Sequence, residues 1–409
     1  MKPLTTISLF SGAGGLDYGF ESAGFETAVA LDLDPEACAA LRGNRLWPVI
    51  EGDLAAIPTR SLLGVAQLAR GEAAVLIGGP PCQPFSKSGY WATGDARRLR
   101  DPRAQTLSGY LRVLEEALPA AFLLENVPGL AFSGKSDGLQ LIENQVAEIN
   151  ARQGTKYRLS TACLNAVQYG VPQLRQRVFV IGHREGRRFK FPEPTHGEAN
   201  QPRHGVDAYT TAWDALGDLP ELNPDRELRL TGKWADLVPS IPEGHNYLWH
   251  TSRGGGLPLF GWRRRYWNFL LKLGRRLPAW TIQAQPGPAT GPFHWTNRYL
   301  SSRELMRLQT FPDDVELTCD RRVAQRLIGN AVPSALAEKL AREMLIQFFD
   351  RQVPARPMLA PVRRLRMPPP WPVSDVPSKY KTLVGNHSDH PGTGKGNRAI
   401  AQRGSMALI

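Results

Sequence analysis

The sequence predicts an α/β protein in which a parallel sheet covered by helices is followed by a loop-rich second module. Three observations carry that expectation. Over the first 185 residues short apolar runs alternate with helical patterns, as strands and covering helices require. From about Arg184 to Leu300 the periodicity gives way to Pro, Gly, Trp and His. Helical patterning returns at Ser301, and beyond Asp350 nine prolines fill a basic stretch that cannot bury a core of its own.

Each element has a local reason. Thr6–Phe10 reads as a strand that ends in the glycine turn Ser11-Gly12-Ala13-Gly14-Gly15, with a helix running on to Ala23. Glu26–Leu31 is the next strand. Asp34-Pro35 then opens a helix, Asp as N-cap and Pro at the first helical position. Ala73–Ile77 and Ala121–Leu124 read as short buried strands, each followed by a loop rich in Gly, Pro, Asn or Cys. Gln105–Leu118 and Gly138–Gln153 are helices, and Tyr157–Leu164 with Val178–Gly182 close the sheet. Ser301-Ser302-Arg303-Glu304 is a capping box opening a helix, followed by helices over Asp320–Leu327 and Pro333–Phe349. The organisation expected is a first domain over 1–185, a module over 186–300, a segment over 301–350 that returns to the first domain, and a disordered tail over 351–409.

Composition limits the function classes. The chain has 409 residues and a net charge of +12. It holds no apolar run near the roughly 20 residues of a membrane span, and its start lacks the apolar length and cleavage site of a signal peptide. Cys38, Cys82, Cys163 and Cys319 lie far apart, without zinc spacing, which points to a reducing cytoplasm and neither a disulfide framework nor a metal. The charge suits a polyanion, and its placement matters more than its sum. Residues 352–409 carry 9 Lys/Arg against 2 Asp/Glu. Residues 246–300 hold eight basic residues, no acid and 11 of the 35 aromatics, a composition suited to phosphates and guanine edges.

Loops at the carboxyl ends of parallel strands are where such folds place ligands. The first glycine turn is not a dinucleotide fingerprint, since Asp17 occupies the third glycine slot. A tight turn followed by an acid, Asp32, at the end of the second strand still suits a nucleoside with a ribose diol. In Gly78-Gly79-Pro80-Pro81-Cys82-Gln83 two prolines fix the backbone before a thiol at a strand end, which suits a nucleophile as well as a packed cysteine. Glu125 in Leu124-Glu125-Asn126-Val127 ends another strand of the same edge. Arg175 and Arg177, at i and i+2 entering a strand, point to one face. Taken singly these are a salt-bridged acid and a solvated face; together they suggest a site.

The ordered set resembles the DNA (cytosine-5)-methyltransferase family of bacterial restriction–modification systems, over residues 5 to about 345. The blocks are Phe10-Ser11-Gly12-Ala13-Gly14-Gly15, the acid at Asp32, Gly52-Asp53-Leu54, Pro80-Pro81-Cys82-Gln83, Asp101-Pro102-Arg103, Glu125-Asn126-Val127, Gln173-x-Arg175-x-Arg177, Arg303-Glu304 with Arg307-Leu308-Gln309-x-Phe311-Pro312, and Gly329-Asn330-Ala331-Val332-Pro333.

The resemblance implies a Rossmann-like S-adenosylmethionine-dependent methyltransferase domain with a smaller, loop-rich target-recognition domain. It implies S-adenosyl-L-methionine framed by Phe10, Gly12, Ala13, Gly14 and Gly15, with Asp32 and Leu33 at the ribose, Asp53 and Leu54 at the adenine, and Pro81, Asn330 and Ala331 closing the site. Cys82 would be the nucleophile on C6 of a flipped cytosine, Glu125 the group at N3, Arg175 the ligand of O2, and Arg177 the residue that orients Glu125. Ser86, Ser88, Arg263, Arg264, Arg265, Arg275 and Thr281 would contact double-stranded DNA. The chain would act as a monomer, without metal or membrane, beside a separately encoded cognate restriction endonuclease. Two departures stand out: the family usually has Glu at Asp32, and Thr106 replaces an apolar residue, so no cofactor contact is assigned there. An RNA (tRNA) cytosine-5 methyltransferase and a catalytically silent DNA-binding regulator on the same fold are the alternatives.

Overall fold

In the computed structural model the alternating strands and helices build a seven-stranded sheet. The structure describes residues 3–81, 104–132, 137–198, 204–220, 227–263, 266–364 and 366–385. They form two units. The first spans Met1–Pro220, Arg276–Gln285 and Ser301–Leu365; the second spans Glu221–Arg275, Pro286–Leu300 and Arg366–Ile409. The sequence placed a break at 185, but residues 186–220 belong to the first unit, as does the passage 276–285 inside the predicted module. Among the described residues no helix is long and apolar enough to cross a membrane.

The first unit opens with β1 (Leu4–Leu9), α1 (Gly15–Ala23), β2 (Phe25–Asp32), α2 (Pro35–Asn44), β3 (Val49–Glu51), α3 (Thr59–Ala66) and β4 (Val75–Gly78). It continues with α4 (Ala104–Ala117), β5 (Ala121–Asn126), α5 (Gly129–Phe132), α6 (Asp137–Gln153), β6 (Arg158–Asn165), β7 (Gln173–Leu174) and β8 (Gln176–His183). The strand order is β3-β2-β1-β4-β5-β8-β6, so the order reverses between β1 and β4, where α/β sheets open a ligand crevice. The sheet is not wholly parallel as predicted: β8 runs antiparallel to both β5 and β6. A parallel return needs a crossover of about a dozen residues or more, commonly a helix. Between Asn165 and Gln176 the chain makes only a 3-10 turn and β7, and so folds back.

Period-2 alternation in the buried strands feeds two cores. Val75, Ile77, Phe179 and Ile181 face one, with Leu16 and Phe20 of α1. Leu76, Phe122, Leu124 and Val180 face the other, under α3, α4 and α6. Later elements are β9 (His196–Gly197), β10 (Asp207–Ala208), α7 (Ala212–Leu216), β11 (Ala279–Trp280), α8 (Ser302–Leu308), α9 (Arg321–Asn330) and α10 (Ser334–Phe349). The predicted caps form: Asp34 accepts from Glu36 N at α2, and Ser301 and Glu304 close a capping box at α8. α10 completes the first core against α1, and the approach requires Gly19, where a Cβ would lie 2.4 Å from the Cβ of Ala337.

The second unit has short 3-10 turns at Ala235–Ser240 and Tyr247–His250, and its core joins Leu237, Val238, Ile241, Tyr247, Leu270 and Phe293. The tail departs from the disorder expected of it. Glu338 accepts from Met358 N and Leu359 N at 2.7 and 2.9 Å. Further on, α11 (Ser378–Lys381) buries Tyr380 and stacks its ring on Trp234, centroids 5.5 Å apart. A Pro-rich segment cannot build a core, but its few aromatics can complete one already formed. Residues 386–409 lie outside the described residues.

Two expectations follow. Tyr380→Ala should cost about 3–5 kcal/mol of the second unit's stability, the usual loss for a buried aromatic. Urea unfolding followed by tryptophan fluorescence measures it; a shift within about 0.5 kcal/mol would mean that the tail adds nothing there.

The other concerns Asp17, fully buried on α1, with neither carboxyl oxygen hydrogen-bonded. Burial pushes its carboxyl up to about 7, opposed by Ser8 and reinforced by Asp32 and Glu21. The folded carboxyl therefore keeps a proton that the unfolded chain releases near 3.8, and stability falls as pH rises between those values. Asp17→Asn should raise the melting temperature at pH near 8, with the gain fading as pH falls towards 4. An equal gain at both ends would show that the charge is not its cause.

Candidate active site

One cleft of about 500 Å³ lies at the carboxyl ends of β1, β2, β4 and β5. Phe10, Ser11, Gly12 and Gly15 line it after β1, Asp32, Leu33 and Asp34 after β2, and Asp53 with Leu54 after β3. Gly79, Pro80 and Pro81 enter from β4, Glu125, Asn126 and Val127 from β5, Arg177 from β8, and Leu327 with Gly329–Val332 from the end of α9.

The glycine turn does two mechanical jobs. Phe10, Gly12 and Gly14 hold positive φ, which reverses the chain at the top of β1. At Gly15 a Cβ would lie 2.3 Å from Val332 O, so only glycine lets the turn after α9 close against α1. Asp32 is anchored by the same turn. Its two oxygens accept from Gly12 N at 2.7 Å and Asp34 N at 2.9 Å. Burial raises its carboxyl above the usual range, and those amides pull it back. Of the family's other expected cofactor residues, Leu33 stands 65% exposed at the rim, Leu54 is buried in the wall, and Ala13 and Gly14 lie beneath the turn outside the lining.

Glu125 and Arg177 form the polar end of the cleft. Arg177 Nε lies 2.8 Å from Glu125 Oε1, both side chains nearly buried. Burial raises the Glu125 carboxyl, while Arg177 and then Arg175 hold it down. Burial likewise lowers the Arg177 guanidinium against the pull of Glu125. A Cβ at Gly79 would sit 2.8 Å from Glu125 Oε2, so the glycine before the two prolines makes room for the carboxylate. Asn126 Nδ2 donates to Pro80 O at 3.1 Å and Thr106 Oγ1 to Pro81 O at 3.4 Å, tying both prolines down. Sequence reading assigned neither; Thr106 stands in the cleft wall, and Asn126 beside Glu125 was the available signal.

Arg175 has other surroundings. It is fully buried, outside the cleft lining, and donates to Ile282 O, Gly329 O and Ala331 O at 3.3, 2.8 and 2.8 Å. The i, i+2 spacing does not hold the two arginines on one face, because the chain passes from β7 to β8 between them. The guanidinium open to the cleft is that of Arg177.

The basic module is also less free than its composition suggested. Arg275 is buried, paired with Glu243 and bonded to Pro369 O. Lys272 and Arg298 are buried, Lys272 with its ammonium pushed down to about 8 by burial. Thr281 donates to Leu174 O at 2.6 Å within the first unit, and Arg263 exchanges backbone hydrogen bonds with Tyr247 Oη. Arg253, exposed, lies over the Trp262 ring at 4.1 Å. Cys82, Ser86, Ser88, Arg264 and Arg265 lie outside the described residues.

The chain is similar to known proteins. The chain is 41% identical over 373 residues to the type II methyltransferase M.SacI of Streptomyces achromogenes, covering 84% of this chain and 93% of that one. It is 44% identical over 250 residues to M.AquIA of a Picosynechococcus, covering 59% of this chain and 98% of that one. Among solved structures, a DNA modification methyltransferase encoded in an Escherichia coli prophage matches with a TM-score of 0.62 at 23% identity, covering 85% of this chain and all of that one. The S. pombe Dnmt2 methyltransferase matches at 0.55 and 17%, covering 84% and 98%; these two likenesses speak for the fold. The family model for C-5 cytosine-specific DNA methylases spans residues 4–345, and with relatives this similar over most of the chain, the protein belongs to that family and is a DNA (cytosine-5-)-methyltransferase.

Proposed function

We propose that the cleft binds S-adenosylmethionine and that Cys82, Glu125 and Arg177 carry methyl transfer to C5 of a cytosine flipped out of a specific duplex sequence. One observation carries the reading: a single cleft is lined at one end by the glycine turn with Asp32 and at the other by the Glu125–Arg177 pair. A methyl donor and the ring that receives its methyl must lie in one such space. Phe10, Leu54, Pro80 and Pro81 supply apolar walls and Asp32 and Asp53 acceptors, which fits an amphipathic nucleoside bearing a cationic side chain. Asp32, with its oxygens already turned towards two amides, retains lone pairs for a ribose hydroxyl. Bound there, the donor supplies an electrophilic methyl on a sulfonium.

The remaining steps belong to this chain. C5 of cytosine is too weak a nucleophile until a thiolate adds at C6, and Cys82, next after Pro80-Pro81, is the thiol so placed in the sequence. Charge then builds at N3. A carboxyl whose hold on a proton is strengthened by burial is suited to donate there, and burial raises Glu125 in that direction. Arg177 holds Glu125 and offers its remaining N–H groups to the ring's O2, the role first expected of Arg175. After transfer a base or water removes the C5 proton and the Cys82 thiolate leaves. Because a thiol cannot reach C6 within a duplex, the base must be extruded, at a cost of a few kcal/mol. The relatives' designation as type II methyltransferases supports a restriction–modification role with a separately encoded endonuclease as partner.

Cys82→Ser should abolish methylation while leaving S-adenosylmethionine affinity nearly intact, and the native protein should form a covalent adduct with duplex containing 5-fluorocytosine. Methylation that proceeds without any trapped adduct would overturn the covalent route. Glu125→Gln should lower the single-turnover rate by about two orders of magnitude or more, the scale of general-acid contributions, with DNA affinity much less affected. Rapid quench measures it; a full rate would remove Glu125 from the chemistry.

A further inference from the structure

We infer that Arg175 is a positioning residue: it clamps the passage 276–285 to the cleft wall 329–332 and thereby sets cofactor affinity, without touching the cytosine. The inference rests on the reading that the cleft holds S-adenosylmethionine. Helix α9 ends where it delivers Asn330, Ala331 and Val332 to the cleft; the cap N–H of Ala331 returns to Leu327 O and Ile328 O, and the carbonyls beyond must find partners outside the helix. Two buried side chains satisfy them. Gln309 Nε2 donates to Ile328 O at 2.8 Å and Ala331 O at 3.3 Å, and Arg175 takes Gly329 O and Ala331 O. A cation is well suited to the negative end of a helix.

The other side of the clamp is the passage. Arg175 also takes Ile282 O, Gln173 Oε1 accepts from Ile282 N at 3.1 Å, and Gln325 of α9 donates to Gln283 O at 2.6 Å. Contact there is direct: a Cβ at Gly329 would lie 2.5 Å from the Cα of Ala284. The passage Arg276–Gln285 belongs to the first unit and is flanked in the chain on both sides by residues of the second. Arg175 bonds the passage and the helix end at once. On the other side of the wall Val332 O packs on Gly15, leaving no slack. If the wall moves, the cleft opens between the glycine turn and Asn330.

The test uses the full-length protein with Arg175→Lys, Arg175→Gln and Gln325→Ala. Binding of S-adenosylhomocysteine is measured by calorimetry, and kcat and KM on duplex DNA in parallel. Losing charge-assisted bonds at the wall should raise the dissociation constant and the KM for S-adenosylmethionine about tenfold or more in Arg175→Gln. At saturating cofactor kcat should stay within about threefold, because no transition-state contact is lost. Lys should recover part of the loss, and Gln325→Ala should show the same split in smaller measure. If the Arg175 variants do not fold, Gln325→Ala decides by that split. A kcat lowered about a hundredfold with affinity unchanged would overturn the inference and assign Arg175 to the ring. Unchanged affinity throughout would overturn it as well. Wild-type protein that binds no S-adenosylhomocysteine would bring down the functional reading and this inference together, a result distinct from either.

Discussion

Taking a guanidinium out of water costs several kcal/mol unless oxygens replace its lost hydration, and this sheet edge buries two of them within three residues. The site is built around how they are compensated. Arg177 is matched by a carboxylate, which leaves a polar pair facing the cleft. Arg175 is matched by carbonyls alone, two of them at the end of α9. One arginine is thus available to chemistry and the other is consumed by architecture. Exchanging their surroundings would leave the cleft without its acid-holding cation and α9 without its cap.

The same economy shapes the opposite wall. Glycines at 15, 19 and 79 are each opposed by an atom that a Cβ would meet at under 3 Å. They let the helices α1 and α10 touch, let the turn after α9 close on the glycine loop, and admit Glu125 beside the prolines. A cleft walled by backbone is narrow and rigid, and its selectivity comes from few polar groups in fixed places. Asp32 is fixed in this way, its oxygens held by amides of the segments flanking it.

The second unit manages charge differently. Beside a mixed aliphatic and aromatic core it buries Lys272, Arg275 and Arg298, the Arg275 guanidinium 5.6 Å from the Trp295 centroid. Its positive composition is therefore partly internal, and a count of basic residues overstates the charge it can present to a polyanion. The tail supplies what the unit lacks, a tyrosine for its core and a carbonyl for Arg275.

Period-2 and 3.6 alternation, caps such as Asp34-Pro35 and Ser301–Glu304, and strand-end loops were all local, so the sheet, its covering helices and the cleft's position were legible in the sequence. So were Glu125 and Asp32 as residues of the cleft, because each stands at the end of a buried strand. The strand direction of β8, the inclusion of 186–220 and 276–285 in the first unit, and the anchoring of Tyr380 were not. Each depends on contacts between residues distant in the chain, to which local pattern is blind. The division of labour between Arg175 and Arg177 is the sharpest case. Spacing alone makes them equivalent; only tertiary structure decides, by setting a carboxylate beside one and the carbonyls of a helix 154 residues away beside the other.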